Sequence, residues 1–215
     1  MIESLFISSK AKYMFSFKSF RNKLEEYYVI WRNSKHKTQL LKDHSQIKIG
    51  ENSLIYYKSD VYTTGGGKIM IGNNCRIGTS SYGYHAGMPF FSSIWAEGEE
   101  ARVTIGNNCR INGANIHAKG RIKIGNNCVI ASGISIIDTN GHVVNSLNRT
   151  NGHDNPNDII IGNNCWIGLN AIILKGTILG DNCVVGAGCV VQGKYPNNSL
   201  LKQADVTISR IDYTR

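Results

Sequence analysis

The stretch IGNNCWIGLNAIILKGTILGDNCVVGAGCVV, residues 161–191, places an aliphatic side chain at Ile161, Ile167, Ile173, Leu179, Val185 and Val191. The step is six each time. That period suits neither an α-helix nor a simple strand alternation. Four positions after successive aliphatics stand small residues: Cys165, Ala171, Thr177, Cys183 and Cys189. A hexad with one aliphatic and one small residue turned inward predicts a β-helix solenoid. Each hexad makes a short strand and a turn, and three hexads close a coil of 18 residues.

Outward from this stretch, the tetrad Ile-Gly-x-Asn recurs at Ile49, Ile71, Ile105, Ile124 and Ile161, and as Leu179-Gly180-Asp181-Asn182. The gaps are 22, 34, 19, 37 and 18 residues, each read as one or two coils with something added. Gly and Asn both suit tight corners, Gly because it lacks a Cβ and Asn because it tolerates left-handed backbone. A ladder of Asn up one edge of the solenoid is therefore expected.

With 215 residues and 41% hydrophobic content, one domain with an appendage is expected. No apolar run is long enough to cross a membrane as a helix, and the apolar start is too short for a signal peptide. The chain reads as cytoplasmic. All six cysteines, Cys75, Cys109, Cys128, Cys165, Cys183 and Cys189, follow a hexad aliphatic by four residues. They fill the small inward slot as compact hydrophobes. No CxxC pair exists, so no metal site is expected from them.

The net charge of +9 is uneven: residues 1–48 hold ten Lys/Arg against four Asp/Glu, and residues 49–215 hold fourteen against eleven. The basic segment is a helical appendage, residues 1–46, with Phe17, Phe20, Leu24, Tyr27, Tyr28 and Trp31 spaced for a helix over roughly 16–33. It caps the solenoid in one reading and binds an anionic membrane surface, the inner face of the membrane, in another. No motif accompanies the charge that would imply nucleic acid. The solenoid is assigned to residues 47–196, interrupted by loops 79–101 and 143–160, and a polar tail follows over 197–215.

Loop 79–101 carries Tyr84, His85 and Trp95, which either stack on a sugar or pack on a neighbouring subunit. Six residues after Ile111, His117 counts as an inward, structural position, and it also stands among the candidate substrate contacts. His142 differs from the other histidines. It follows the turn-forming run Asp138-Thr139-Asn140-Gly141 and opens the second loop, where an imidazole can take a proton from a substrate hydroxyl.

Together, the 161–191 repeat and the DTNGH segment before it resemble the hexapeptide-repeat O-acetyltransferases, similar to those acting on galactosides, maltose and capsular polysaccharide. The resemblance spans about residues 47–196. It implies an all-β solenoid, a left-handed parallel β-helix; general crossover rules alone would favour the right-handed sense. It implies a homotrimer that moves the acetyl group of acetyl-CoA to a sugar or polysaccharide hydroxyl, with His142 as catalytic base. Asn112, Asn115, His117, Asp138, Tyr84, His85 and Trp95 become candidate substrate contacts. Trp166, Gly168, Leu169, Ala187 and Gly188 fall where the family lines its coenzyme groove, and Lys202 and Arg210 are candidates for the nucleotide end. Residues 200–206, LLKQADV, depart from the family's usual Ala-Gly-x-Pro-Ala-Lys. Alternatives are N-acetylation of an amino sugar, a zinc hydratase of the γ-carbonic-anhydrase kind built on His85, His117 and His142, and a scaffold without catalysis.

Overall fold

The computed structural model describes residues 3–79, 84–145 and 147–203, with side chains from residue 23 onward. One long helix, α1 (Glu3–Asp43), precedes twenty short strands that form three parallel sheets of seven, seven and six strands. Within each sheet the strands follow one another in chain order, so every step up a sheet is one full turn of a solenoid. The coils wind as a left-handed β-helix with the cross-section of a triangular prism.

Sheet A starts at Ile47–Ile49 and ends at Lys194–Tyr195; sheet B runs from Leu54–Ile55 to Leu200–Leu201; sheet C runs from Asp60–Thr64 to Val190–Val191. The hexad aliphatics meet in the interior. Ile55, Ile77, Ile111, Ile130, Ile167 and Val185 form one buried column, each paired with the next coil. Full burial of such a side chain contributes about 1.5–3 kcal/mol. Repeated in every coil, this burial is the main force holding the prism.

The six cysteines are all buried and unpaired by disulfides. Five of them form a column in which each thiol points at a carbonyl of the next coil: Cys75 to Gly106, Cys109 to Gly125, Cys128 to Gly162, Cys165 to Gly180 and Cys183 to Pro196, at 3.0–3.2 Å. On the edge between sheets A and B stands the asparagine ladder. Asn74, Asn108, Asn127, Asn164 and Asn182 hold positive φ. Beside them, Asn73, Asn107, Asn126, Asn163, Asp181 and Asn197 each accept, through Oδ1, a backbone N–H from the coil below.

The long gaps between tetrads prove to be single coils with excursions, because Ile71 pairs with Ile105, and Ile124 with Ile161, as direct neighbours. The first excursion is shorter than loop 79–101. Its last part, Ser93–Glu97, is a strand paired with Asp60–Thr64 and with Ala114–Ala118. At the other end the solenoid runs past 196, since Leu200–Leu201 pairs with Val184–Val185.

Helix α1 is longer than the aromatic stripe alone indicates, and its C-terminal part packs on the solenoid. Leu40 is buried with the core. Lys37 Nζ donates to the carbonyls of Gly50 and Ser53, Asn33 Oδ1 accepts the N–H of Tyr57, and His36 Nε2 bonds the Ser59 carbonyl. These bonds occupy polar backbone groups of the first coil that no lower coil can reach. Farther out on the helix, Leu24, Tyr27, Tyr28, Ile30 and Trp31 are all half exposed or more.

Candidate active site

Strand Ile134–Ile137 of sheet C ends at the edge shared with sheet A, and the DTNG turn lies there. Asp138 and Thr139 are buried, whereas Asn140, Gly141 and His142 emerge into solvent. Gly141 has φ of 75° with open space around it, which turns the chain outward. His142 Nδ1 is 2.7 Å from the carbonyl oxygen of Arg149, across the second loop. A carbonyl only accepts, so Nδ1 is the protonated nitrogen. Nε2 is left as the free basic nitrogen of the ring. Arg149 closes the loop further by donating from Nη2 to the Val144 carbonyl.

Asp138 does not face a ligand. It is fully buried, and its two carboxylate oxygens accept the N–H groups of Lys119 and Gly120 in the coil below, at 2.9 and 2.8 Å. Burial raises its pKa, and the two backbone bonds oppose that rise. Its work is to fasten the start of the turn.

The inward assignment of His117 is corrected by the structure. In strand Ala114–Ala118 the residues turned inward are Ala114, Ile116 and Ala118. His117 lies on the outer face of sheet C. The cause is a turn one residue shorter after Ile111, built on Gly113 at φ 57°. Ile111 pairs with Ile130, but Ile116, not His117, pairs with Ile136. A one-residue slip in a strand exchanges its two faces. On the outer face, His117 stacks on Trp95, with ring centroids 4.1 Å apart and planes within 3°. Trp95 stacks in turn on Tyr62 at 5.4 Å. His117 Nε2 is 2.9 Å from Glu97 Oε2, and Lys119 Nζ is 3.3 Å from Glu97 Oε1. This cluster of Glu97, His117 and Lys119 occupies the coils just below the His142 turn, at the same edge. Asn115 shares that outer face, in register between Ser93 and Ser135.

The other candidates gather at a different edge, between sheets B and C. Asn112 follows strand Arg110–Ile111 there. The first excursion folds over the same edge: Ser132 Oγ donates to the Gly87 carbonyl, and Met88 and Phe90 close on Gly113. This brings Tyr84 and His85 to that edge, with their rings 5.2 Å apart. Two coils above, Trp166 is 55% exposed and Leu169 half-buried, and Ala187 is exposed in the next coil. Gly168 is buried where a Cβ would sit 2.7 Å from the Ala187 nitrogen, so it lets the two coils touch. Gly188, at φ 71°, donates its N–H to Leu169 and accepts from Gln203 Nε2. Lys202 is exposed at the top of the solenoid, and Arg210 lies outside the described residues. The candidates therefore fall into two groups, on two edges of the prism separated by the width of sheet C.

Three histidines do not converge. His85 sits in the excursion over one edge, His117 is engaged by Glu97, and His142 projects from the other edge. Among the described residues no three His, Cys, Asp or Glu side chains gather as a metal site would need. Sequence reasoning missed Tyr62, Glu97, Lys119, Asp154 and Lys175. Their positions follow from coil-to-coil register, which needs the lengths of both excursions.

A left-handed β-helix of hexads, with an imidazole free at Nε2 on one edge, is the class of protein these features define. Residues 102–137 and 158–192 match the family described as the hexapeptide repeat of succinyl-transferase. It is 40% identical to galactoside O-acetyltransferase of Escherichia coli (strain K12) over 70 residues, 33% of this chain and 34% of that protein. To polysialic acid O-acetyltransferase of Neisseria meningitidis it is 38% identical over 61 residues, 28% of each chain. The chain thus spans about a third or less of the length of these curated relatives. AntD, an N-acyltransferase from Bacillus cereus solved with dTDP and 3-hydroxybutyryl-CoA, shares the fold with a TM-score of 0.54. Sequence identity to it is 22%, with 74% of this chain and 80% of that chain covered.

Proposed function

We propose that the chain transfers the acetyl group of acetyl-CoA to a hydroxyl of a sugar or surface polysaccharide, with His142 as general base. The observation that carries this reading is the bond from His142 Nδ1 to the Arg149 carbonyl, which leaves Nε2 as a lone pair at a solvent-exposed edge. In the reaction, Nε2 takes the acceptor's O–H proton while that oxygen attacks the thioester carbon. The C–O bond forms, a tetrahedral oxyanion follows, and its collapse breaks the C–S bond. The departing thiolate of coenzyme A receives the proton from the imidazolium. No enzyme nucleophile is required, in keeping with six cysteines buried in the core.

Acetyl-CoA lies, in this reading, along the edge carrying Trp166, Gly168, Leu169, Ala187 and Gly188, with Lys202 and Arg210 toward the nucleotide. The acceptor lies near Asn115, Trp95 and His117. Because His142 and Trp166 stand on different edges of one prism, a shared reaction centre is best built from two copies, which supports a homotrimer. Asn112, Tyr84 and His85 share the Trp166 edge and would face the neighbouring copy's His142. Among the described residues no helix is long and apolar enough to cross a membrane. The basic, aromatic outer part of α1 is suited to the surface of an anionic bilayer, where the charges and Trp31 and Tyr27 could both engage.

The test is an acceptor screen with acetyl-CoA, comparing neutral sugars, sialylated or capsular polysaccharides and amino sugars, with His142→Ala as control. Ester formation on a hydroxyl that disappears in His142→Ala is the expected result. Amide formation alone would move the reading to N-acetylation, and release of coenzyme A at the same rate in both proteins would remove His142 from it.

A further inference from the structure

We propose that Asp154 and Lys175 are positioning residues that lock the His142 turn to the coil above it and so hold the imidazole in its working tautomer; this rests on the reading of His142 given above. Asp154 lies in the second loop, twelve residues beyond His142. Its Oδ2 accepts the N–H of Asn140 at 2.8 Å and the Lys175 ammonium at 2.6 Å, and it lies 3.5 Å from Thr139 Oγ1. Thr139 Oγ1 in turn accepts the N–H of Gly141 at 3.1 Å. One carboxylate oxygen therefore organises both residues that immediately precede His142. Lys175 also donates to the Asn155 carbonyl at 3.2 Å, and its own carbonyl accepts Gln192 Nε2. It follows strand Ile172–Leu174, one coil above the strand that leads into the turn.

Seen along the solenoid axis, the turn is held from two sides. Asp138 ties its start to Lys119 and Gly120 in the coil below, and Asp154 with Lys175 ties its end to the coil above. Between these ties the chain bends at Gly141, where an added Cβ would find open space, and His142 follows. Without the upper tie, the ring keeps its hydrogen bond to the Arg149 carbonyl, and Arg149 belongs to the same excursion. The ion pair is no ordinary surface pair: the Lys175 and Asp154 side chains are only 20% and 14% exposed. Asp154 is held below the usual carboxylate range, first by the Lys175 bond and then by the Asn140 N–H. It stays an anion and an acceptor at neutral pH. A mispositioned general base costs rate and not cofactor affinity, because misplacement of about 1 Å can cost on the order of a hundredfold.

The experiment compares the full-length protein with Asp154→Asn and Lys175→Met by two readouts. The first is the imidazole tautomer of His142, from ¹⁵N–¹H correlation spectra of ¹⁵N-histidine-labelled protein, with the His142 signal identified by its loss in His142→Ala. Wild type should show a single form protonated at Nδ1, and both variants a mixture of tautomers. The second is turnover on the acceptor found in the screen: kcat should fall roughly tenfold to a hundredfold while KM for acetyl-CoA stays within twofold. Should Asp154→Asn fail to fold, Thr139→Val, which removes only the hydroxyl that accepts the Gly141 N–H, carries the same measurements. An unchanged tautomer together with unchanged kcat overturns the proposal. So does a loss of kcat matched by an equal loss of acetyl-CoA affinity, which marks a merely structural pair. If wild type acetylates no acceptor at all, the proposed function fails, and the tautomer spectra still decide the clamp.

Discussion

His142 Nδ1 and the carbonyl oxygen of Arg149 are 2.7 Å apart, so a backbone group, not a carboxylate, orients the ring. A carbonyl partner selects the tautomer without adding a negative charge beside the imidazole. Removing the ring should therefore strike turnover alone. His142→Ala is expected to lower acetyl transfer by roughly 10²–10⁴-fold, the usual contribution of a positioned base. Its dissociation constant for acetyl-CoA, measured by calorimetry, should stay close to that of wild type.

The sign of a pH effect follows from Asp154. Its pKa is depressed in the folded protein, so the protection it confers is complete above the unfolded value near 3.8 and is lost as pH falls through the lower folded value. Protection of the Asn140 and Gly141 amides against hydrogen exchange, relative to their intrinsic rates at each pH, should hold at pH 5 and fall only below the ordinary carboxylate range. In Lys175→Met, which removes the largest cause of the depression, the loss of protection should begin at higher pH. Equal onset in the two proteins would dissociate Lys175 from the turn.

The edge between sheets A and B sets two substitutions against each other. Asn126 accepts the Asn107 N–H at 2.8 Å through a side chain, and Gly125 beside it brings two backbones together. Asn126→Ala removes two side-chain hydrogen bonds at an exposed corner, from the Asn107 N–H and to Asn163 Oδ1, about 0.5 kcal/mol each where water replaces them. A Cβ on Gly125 would lie 2.6 Å from the Gly162 carbonyl carbon, and no flexible side chain is there to give way. Overpacking of this kind costs about 1–3 kcal/mol. Gly125→Ala should lower the melting temperature more than Asn126→Ala does.

These same residues explain what could be read from sequence. Hexad spacing fixes which residues face inward wherever the turns are of equal length, and the cysteine column and asparagine ladder follow from it. It fails at His117 because a single residue is missing from the turn at Gly113, and spacing alone does not say which strand absorbs the slip. His142 was legible because a turn, an imidazole and a loop adjoin in sequence. Its partners were not: Arg149, Asp154 and Lys175 meet it only through the closure of the second loop and the stacking of the next coil. Glu97 and Trp95 meet His117 through pairing between strands some twenty residues apart.

The cysteines give a chemical check on the core. Their relative exposures run from 0% to 4%. The neighbouring Cys109 sulfur and then burial push the Cys75 thiol above its ordinary range. Native protein treated with a thiol reagent at pH 8 should label few of the six within the time that unfolded protein labels all of them. Fast labelling of four or more would mean that the column is not closed.

Whether one prism or two build the reaction centre can be decided by mixing defective chains. His142 is at the edge between sheets C and A, and Trp166 at the edge between B and C. If the centre takes His142 from one copy and Trp166 from the next, His142→Ala and Trp166→Ala chains complement each other. A site in a mixed trimer is intact when the copy supplying His142 carries only the Trp166 change and the copy supplying Trp166 carries only the His142 change. For equal amounts assembling at random, each condition holds half of the time, so about a quarter of the sites are restored. The two variants, each assayed alone at an acetyl-CoA concentration where it is nearly idle, should together regain about a quarter of wild-type turnover after co-expression. Separately purified and mixed without subunit exchange, they should regain none. If co-expressed chains remain as idle as the single variants although light scattering shows mixed trimers, both residues serve one chain and the shared centre is wrong.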